Sequence, residues 1–163
     1  MDWTPWLKFI HVAAGFTFAL AHGVSAFTTL KLRGERNPVR VTALLDLSKV
    51  SLPITDVAIV VLLVSGIIGG FVGNYWGHLW MWISIGVLVL LFAFMSVRGV
   101  KHHDAIRHGL GLKGFYDHGK TPAPDPDPAA LAKALDSPRA IELAAVGIIG
   151  LAVILWLMVV KPF

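Results

Sequence analysis

The sequence predicts an all-α integral membrane protein, an antiparallel four-helix bundle that forms a single membrane domain over residues 1–163. Composition is the first observation, because 56% of the residues are apolar and only 15% are charged, whereas soluble domains carry about 25% charged residues. Distribution is the second, because the charges cluster between long uncharged runs, as expected for segments in lipid. The net charge of +4 comes from those clusters. No nucleic-acid recognition motif accompanies it, so the expected partner is the lipid bilayer and not nucleic acid.

The first predicted span covers residues 5–30. Pro5 suits an early helical position, and the many small residues of this segment favour close packing against a neighbouring helix. Lys8, His11 and His22 lie within the span. Because ionisable side chains rarely face lipid, this helix is expected to turn one face towards the interior of the bundle.

The second predicted span covers residues 52–73. Before it, Pro38–Val50 has the apolar spacing of a short amphipathic helix, which is expected to lie in the headgroup region. Ser51 would then cap the span, with Pro53 in its first turn. The end of the span carries glycines at two overlapping GxxxG spacings, which favour the close approach of another helix: Gly66, Gly69, Gly70 and Gly73.

The third predicted span covers residues 80–97. Only residues 74–79 separate it from the second span, so the two are expected to form a tight antiparallel hairpin. Its helix is expected to continue beyond the apolar stretch and to stop at Gly109, since glycine commonly ends helices.

The second loop covers residues 109–137 and precedes the fourth predicted span, residues 140–160. Its Pro-rich stretch Thr121–Pro128 is expected to be extended and mobile. A short helix is expected to start at Pro128 and to run to Leu135. Ser137 and Pro138 then provide the start signals of the last span.

Loop charge predicts the orientation of the bundle. The first loop, residues 31–49, holds five Lys or Arg residues, and residues 98–139 hold seven more. Positively charged loops stay in the cytoplasm, so both termini are expected on the periplasmic side of a bacterial inner membrane. Tryptophan prefers the membrane–water interface, and the chain's six tryptophans fall at the outer ends of the predicted spans: Trp3, Trp6, Trp76, Trp80, Trp82 and Trp156.

Ionisable residues at membrane depth are the first candidates for function, because burying them is costly unless they pair, bind a ligand or line a pathway. Eleven residues separate His11 from His22, which places both on nearly the same helix face, about 16 Å apart along the axis. Histidines on facing helices hold the iron of membrane b-type haems. The sequence therefore makes haem b a candidate cofactor, and the candidate ligands are His11, His22 and His78.

His78 is the natural partner of His11, because both belong to the outer end of the bundle. The expected partner of His22 is Asp56, since a His–Asp pair offsets the cost of burying each group. Such a pair could relay protons or serve as a structural polar contact. Three interpretations stay open: polar contacts that only hold the bundle together, haem ligation by His11 or His22, and metal or proton handling.

A second group of ionisable residues follows the third span: His102, His103, Asp104, His108 and His118. Asp104 and His108 are four residues apart on a helix and could face the same ion. Basic residues interrupt the group, and its spacing fits no strong motif, so a solvated helical extension is the favoured interpretation and a metal site the alternative. The sequence contains no nucleophile motif, phosphate loop or paired catalytic carboxylates, and whether the chain is an enzyme stays open.

Residues 5–108 resemble a family of bacterial integral membrane proteins related to the membrane domain of copper-resistance protein D. The resemblance rests on the opening Trp6-Leu-Lys-Phe-Ile-His11-Val-Ala-Ala, on a basic loop with Asp46, on the Gly-rich exit Gly66–Gly73 and on the Trp-rich start of the third span. The aromatic-Lys-x-x-His opening is also similar to that of the HemJ-type membrane protoporphyrinogen oxidase, a haem b protein. That second resemblance implies that His11 is a haem ligand.

The third span departs from the HemJ-type pattern, which has a lysine where this chain reads Trp80-Met-Trp-Ile-Ser. The resemblance therefore implies haem binding without protoporphyrinogen oxidase activity. The leading interpretation is a bacterial inner-membrane protein with a b-type haem or metal site, for electron transfer or metal handling. The alternative is a non-catalytic accessory subunit that packs against other subunits of a larger respiratory or photosynthetic membrane complex.

Overall fold

The computed structural model describes residues 3–115, 117 and 122–163 of the chain, and all regular structure in this part is helical. Six α-helices, a 3₁₀ turn and a π-helical segment follow one another along it. In chain order they are α1 (Thr4–Leu32), α2 (Pro38–Val72), the 3₁₀ turn (Tyr75–Gly77), α3 (Leu79–Phe94), the π segment (Met95–Gly99), α4 (Val100–Gly109), α5 (Pro128–Leu135) and α6 (Arg139–Val160).

Four helical stretches of the described chain are long and apolar enough to cross a membrane: Thr4–Leu32, Pro38–Val72, Leu79–Gly109 and Pro128–Val160. Their lengths of 29 to 35 residues exceed the ~20 residues that a bilayer requires. Only a small share of each apolar window is buried within the protein, so most of the apolar surface is left for lipid. The predicted all-α class and the four spans are confirmed, and the chain is a multi-pass membrane protein.

The expected break between an interfacial helix and the second span is wrong. One helix, α2, runs for 35 residues from Pro38 to Val72 and passes through Pro53. Its start is capped by Asn37, whose side chain accepts hydrogen bonds from the backbone N–H groups of Val39 and Arg40. Ser51 does not cap a helix, because its hydroxyl donates to the Ser48 carbonyl within the continuous helix.

The long helices pack in the spatial order α2, α1, α6, α3, since α1 contacts both α2 and α6, and α6 contacts α3. The bundle has two ends, defined here by their residues. The terminal end holds the cluster of Trp80, Met81 and Leu157, packed with Tyr75, Trp76 and Met158. The loop end holds the cluster of Leu32, Val41, Leu45, Ile106, Leu131, Ala134 and Leu135.

The terminal end gathers the aromatic residues as predicted. Lys161 follows α6 and places its ammonium 4.5 Å from the ring centroid of Tyr75 and 5.3 Å from that of Trp80, a cation–π arrangement. Trp3 and Trp6 line a shallow apolar groove with Val72, at the same end. The last turn of α2, the start of α3 and the end of α6 therefore meet at one end of the bundle.

The loop end carries a small helical cap formed by α5 and its neighbours. Asp127 caps α5 by accepting hydrogen bonds from two backbone N–H groups of the first turn, and its own N–H donates to the Gly109 carbonyl. Gly109 allows this approach, because a Cβ there would lie 2.7 Å from Leu131 Cα. Both the end of α4 at Gly109 and the start of α5 at Pro128 agree with the prediction.

The Pro-rich stretch packs closer to the cap than an unattached linker would. Gly111 has a positive φ of +74°, and a Cβ there would lie 2.8 Å from the Pro126 side chain. Thr121, at the start of the predicted stretch, lies outside the described residues. Residues 122–127 form no regular structure and are held at Asp127 and Pro126.

Candidate functional site

His11 lies in the contact between α1 and α2, where its Nδ1 is 2.9 Å from the Ser65 Oγ. The Ser65 hydroxyl also lies within hydrogen-bond distance of the Val61 and Leu62 carbonyls. In the tautomer in which Ser65 donates to one of these carbonyls, the imidazole donates Nδ1–H to Ser65 and Nε2 keeps its lone pair. A neutral imidazole with one nitrogen fixed by a hydrogen bond is the form in which histidine binds metals.

Gly66 gives the His11 ring the room that it needs. A Cβ on this glycine would lie 3.3 Å from His11 Cε1, closer than side chains normally approach. Ser65 thus provides a hydrogen-bond partner for the His11 ring, and Gly66, which has no side chain, leaves room for it. The glycines of the predicted GxxxG pattern do contribute to packing here, with Gly66 facing α1 and Gly70 facing Met81 of α3.

An open apolar groove follows the α1–α2 contact, and its lining residues lie on both helices without including His11. Its volume is about 550 Å³, within the range of ligand-binding pockets. The helices leave this space because several of the residues that line it are small. The lining residues are Phe9, Ile10, Ala13, Ala14, Thr17, Pro53, Ile54, Val57, Ala58 and Val61.

His22 lies in the contact between α1 and α6. Its ring stacks on Phe18 of the preceding turn, with a centroid separation of 5.8 Å and an interplanar angle of 10°. Its Nε2 is buried and has no hydrogen-bond partner among the described residues. The ring meets Gly147, where a Cβ would overlap Nε2 and lie 3.1 Å from Met95 Cε. His22 and Met95 therefore face the same glycine.

The structure does not bring His22 and Asp56 into contact. Asp56 is exposed on α2, two residues before the buried Ala58. Two residues correspond to about 200° around a helix, so the carboxylate points away from the face of α2 that packs inward. His78 is also separate from His11, because it lies exposed at the start of α3, with its ring centroid 6.4 Å from those of Tyr75 and Trp80.

The expectation of a solvated extension is wrong for part of α4. His102 is only 2% exposed, and its ring packs edge-on against His103. The His103 Nδ1–H donates to the Gly99 carbonyl at 2.9 Å, and its Nε2 lies 3.3 Å from the Thr29 Oγ1 of α1. The i, i+4, i+7 spacing of His102, Ile106 and Gly109 is a signal of this buried face that the sequence contains.

Asp104 and His108 of α4 hold the loop that follows this helix through hydrogen bonds. Asp104 accepts a hydrogen bond of 2.7 Å from the Phe115 N–H. His108 lies 2.7 Å from Asp117, whose carboxylate also accepts from the Gly114 N–H. These two hydrogen bonds, the backbone one first, hold the pKa of Asp117 below its ordinary value. Both carboxylates thus accept hydrogen bonds from backbone N–H groups of the loop.

His118, the last residue of the predicted loop group, lies outside the described residues. Within the part of the chain that the structure describes, no three His, Cys, Asp or Glu side chains converge as a metal site. The sequence also did not predict that the methyl group of Met95 would lie beside Gly147, next to the His22 ring. A single methionine in an apolar run ordinarily indicates a core position, so nothing in the sequence distinguishes it.

Comparison of the chain with protein-family models, with curated proteins and with solved structures gives no match. The resemblances to copper-resistance protein D and to HemJ-type proteins therefore stay predictions.

Proposed function

We propose that the protein is a membrane-embedded electron-transfer or metal-handling protein whose b-type haem or metal is held by His11. The observation that carries the proposal is the hydrogen bond of 2.9 Å between His11 Nδ1 and Ser65 Oγ. It orients the ring and leaves the Nε2 lone pair as the ligating atom. A histidine whose other ring nitrogen is held by a hydrogen bond, placed between two membrane-spanning helices, is suited to hold an iron or another transition metal.

The contact between α1 and α2, in which His11 lies, borders an apolar groove of about 550 Å³ with alanines on both helices. Such a groove suits a large apolar macrocycle better than a hydrated ion. Haem, when bound, supplies one-electron redox chemistry. The chain's own part is to present Nε2 in the neutral form, to hold the ring through Ser65 and to keep bulk water away with the apolar groove walls.

The other two predicted ligands fit a haem less well. His22 packs directly against the Gly147 backbone, so a macrocycle at its Nε2 would require α1 and α6 to separate. His78 is exposed at the terminal end. Of the three predicted ligands, His11 is therefore the one that would hold the group.

The proposed location is a bacterial inner membrane, with the loop end in the cytoplasm and the terminal end in the periplasm. The support is charge, because exposed basic residues surround the loop end: Lys31, Arg36, Arg40, Lys101, Lys133 and Arg139. Positively charged segments are retained on the cytoplasmic side. Labelling of single cysteines, introduced at residue 122 for the loop end and at residue 163 for the terminal end, tests this orientation.

The visible spectrum of the protein, purified in mild detergent from haem-replete cells, tests the proposed cofactor. We expect a Soret band that is lost in His11→Ala and retained in His78→Ala, a control that removes an exposed histidine of the same end of the bundle. Ser65→Ala should weaken haem or metal retention by roughly 10- to 100-fold, as the loss of a hydrogen bond to a ligating histidine does. Wild-type protein without haem or bound metal would overturn the proposal, and so would an unchanged spectrum in His11→Ala.

The accessory-subunit alternative draws on the outward face of α1, which exposes large aromatic residues: Trp6, Phe9, Phe16 and Phe27. Because lipid covers such a face equally well, the face favours neither interpretation. Solubilisation in mild detergent distinguishes them. Stable co-purification with other membrane subunits supports the accessory role, whereas a monodisperse protein with a Soret band supports the haem protein.

A further inference from the structure

His102 and His103 are two adjacent imidazoles at the loop end that the haem proposal does not use. They lie where α4 contacts α1, beside the start of α6. We propose that this pair is an acid-sensitive joint, which holds α4 and the cap in place while both rings are neutral and releases them when the rings take up protons. The joint is independent of the site at His11, because His11 lies about 27 Å from Thr29 along α1.

The contacts of His103 define the neutral state of the joint. Its Nδ1–H donates to the Gly99 carbonyl at 2.9 Å, so the neutral ring carries its hydrogen on Nδ1 and a lone pair on Nε2. Nε2 lies 3.3 Å from the Thr29 Oγ1, whose hydroxyl is also 2.8 Å from the Ser25 carbonyl oxygen. The neutral ring therefore links α4 to α1 without placing a charge between them.

The surroundings of His102 leave a charged ring without hydration. This side chain is only 2% exposed, and its ring packs edge-on against that of His103, with 5.8 Å between the centroids. The next turn of α4 places Ile106 in the apolar cluster with Leu131 and Leu135 of α5. Because a buried charge loses its contact with water, the closed joint favours neutral rings.

The charged groups around the pair strengthen this preference. Among the described residues, the cations that act on the two rings are Arg107 of α4 and Arg139 of α6, and the carboxylate that does so is Asp104. α1 contributes the Thr29 hydroxyl, and α5 contributes apolar side chains. Asp104 already accepts a hydrogen bond from the Phe115 N–H. Two protonated rings would thus face each other and two arginines, so they take up protons more readily when α4 moves away.

The π segment Met95–Gly99 gives α4 a place to move. It interrupts the regular α-helical hydrogen bonding immediately before α4, and wide turns of this kind are frequent at functional sites. A Cβ at Gly99 would meet nothing within 4 Å, so the backbone there has free space on this side. We expect α4 to move about this segment while α3 keeps its place in the bundle.

The linkage between proton binding and opening gives the size of the effect. An unperturbed imidazole has a pKa of about 6.5, and the rings of the open joint protonate with this value, whereas those of the closed joint stay neutral. The open state therefore binds protons that the closed state does not, so the joint is stable above about pH 6.5 and loses stability below it. Between pH 7.5 and 5.5 the opening equilibrium grows about 10-fold for each histidine and about 100-fold for the pair.

Hydrogen exchange of the full-length protein in detergent tests the joint at pH 7.5 and 5.5, with protection factors that correct for the intrinsic pH dependence of exchange. In the wild type, the protection factors of the α4 and α5 amides should fall by about 100-fold at pH 5.5, whereas those of α3 should stay the same. His102→Gln and His103→Gln should each reduce the fall to about 10-fold, and the double variant should abolish it. His108→Gln is the matched control, because His108 also belongs to α4 but faces Asp117; it should keep the full response.

Equal protection at both pH values in the wild type overturns the inference. An undiminished response in the double variant also overturns it, because the titrating groups would then lie elsewhere, and so does an equal fall in α3, which would report unfolding of the bundle. Circular dichroism at pH 7.5 checks that the variants fold. If the double variant does not fold, the wild-type response of α4 and α5 against that of α3 decides. The haem proposal is judged separately by the Soret band of His11→Ala, so either proposal can fail alone.

Discussion

Replacing Gly147 by Ala places a methyl group where the His22 imidazole of α1 meets the backbone of α6. The added Cβ would overlap His22 Nε2 and lie 3.1 Å from Met95 Cε. Overpacking of this kind costs about 1–3 kcal/mol, while alanine gains about 1 kcal/mol over glycine in a helix. We therefore expect a net destabilisation of up to about 2 kcal/mol, together with displacement of the imidazole.

Gly86→Ala is the matched control, because this glycine is also in a membrane-spanning helix and its added Cβ would meet nothing within 4 Å. That variant should be as stable as the wild type or more stable. Thermal unfolding in detergent measures the difference, since 1 kcal/mol corresponds to about 2–4 °C in Tm for a chain of this size.

The double variant Gly147→Ala with His22→Ala identifies the contact responsible. If the cost comes from the imidazole, removal of the ring should relieve it, and the two changes should be non-additive by more than ~0.5 kcal/mol. Equal stability of Gly147→Ala and Gly86→Ala would refute the reasoning, because it would mean that α1 and α6 do not meet closely at His22. Strict additivity in the double variant would refute the assignment of the contact to the imidazole.

Two further predictions concern the loop end. The pKa of Asp117 is below its ordinary value of 3.8, so the stabilisation by its carboxylate is present above that pH and is lost as the pH falls below it. The protection factor of the Gly114 amide, the intrinsic exchange rate at each pH divided by the observed rate, should therefore fall at acidic pH, and Asp117→Asn should remove this fall. Leu135→Ala should destabilise the protein by about 2–5 kcal/mol, because the Leu135 side chain is only 1% exposed in the cap. Faster limited proteolysis between α4 and α5 would show that the cap is loosened. An unchanged cleavage rate would contradict this prediction.

Apolar runs and start signals predicted most of the fold. The lengths of the apolar runs alone indicate four spans. Pro128 marks the start of α5, because proline suits the first turn of a helix. The same rule misplaces the start of the second span, since proline at a first turn and proline inside a long membrane helix look alike locally. Asn37, which caps α2 sixteen residues before Pro53, is a better start signal than Ser51.

The candidate site was less predictable, because it depends on which helices become neighbours. His11 was identified from its depth in the first span, but its partners Ser65 and Gly66 depend on how α1 packs on α2. Met95 is separated from His22 by 73 positions in the sequence, and only the packing of three helices brings both to Gly147. Periodicity within one helix contains no information about such meetings.

The two histidines of α1 show that one helix face can provide two different environments. Ideal helix geometry puts them within about 20° of each other, yet His11 contacts Ser65 of α2 and His22 contacts Gly147 of α6. Because α1 packs between α2 and α6, side chains on the two edges of its inward face meet different helices. Each histidine therefore has a different set of neighbours. The Nδ1 of His11 lies 2.9 Å from the Ser65 hydroxyl, whereas the Nε2 of His22 is buried without a hydrogen-bond partner among the described residues, so a single helix holds two imidazoles in different environments at two depths.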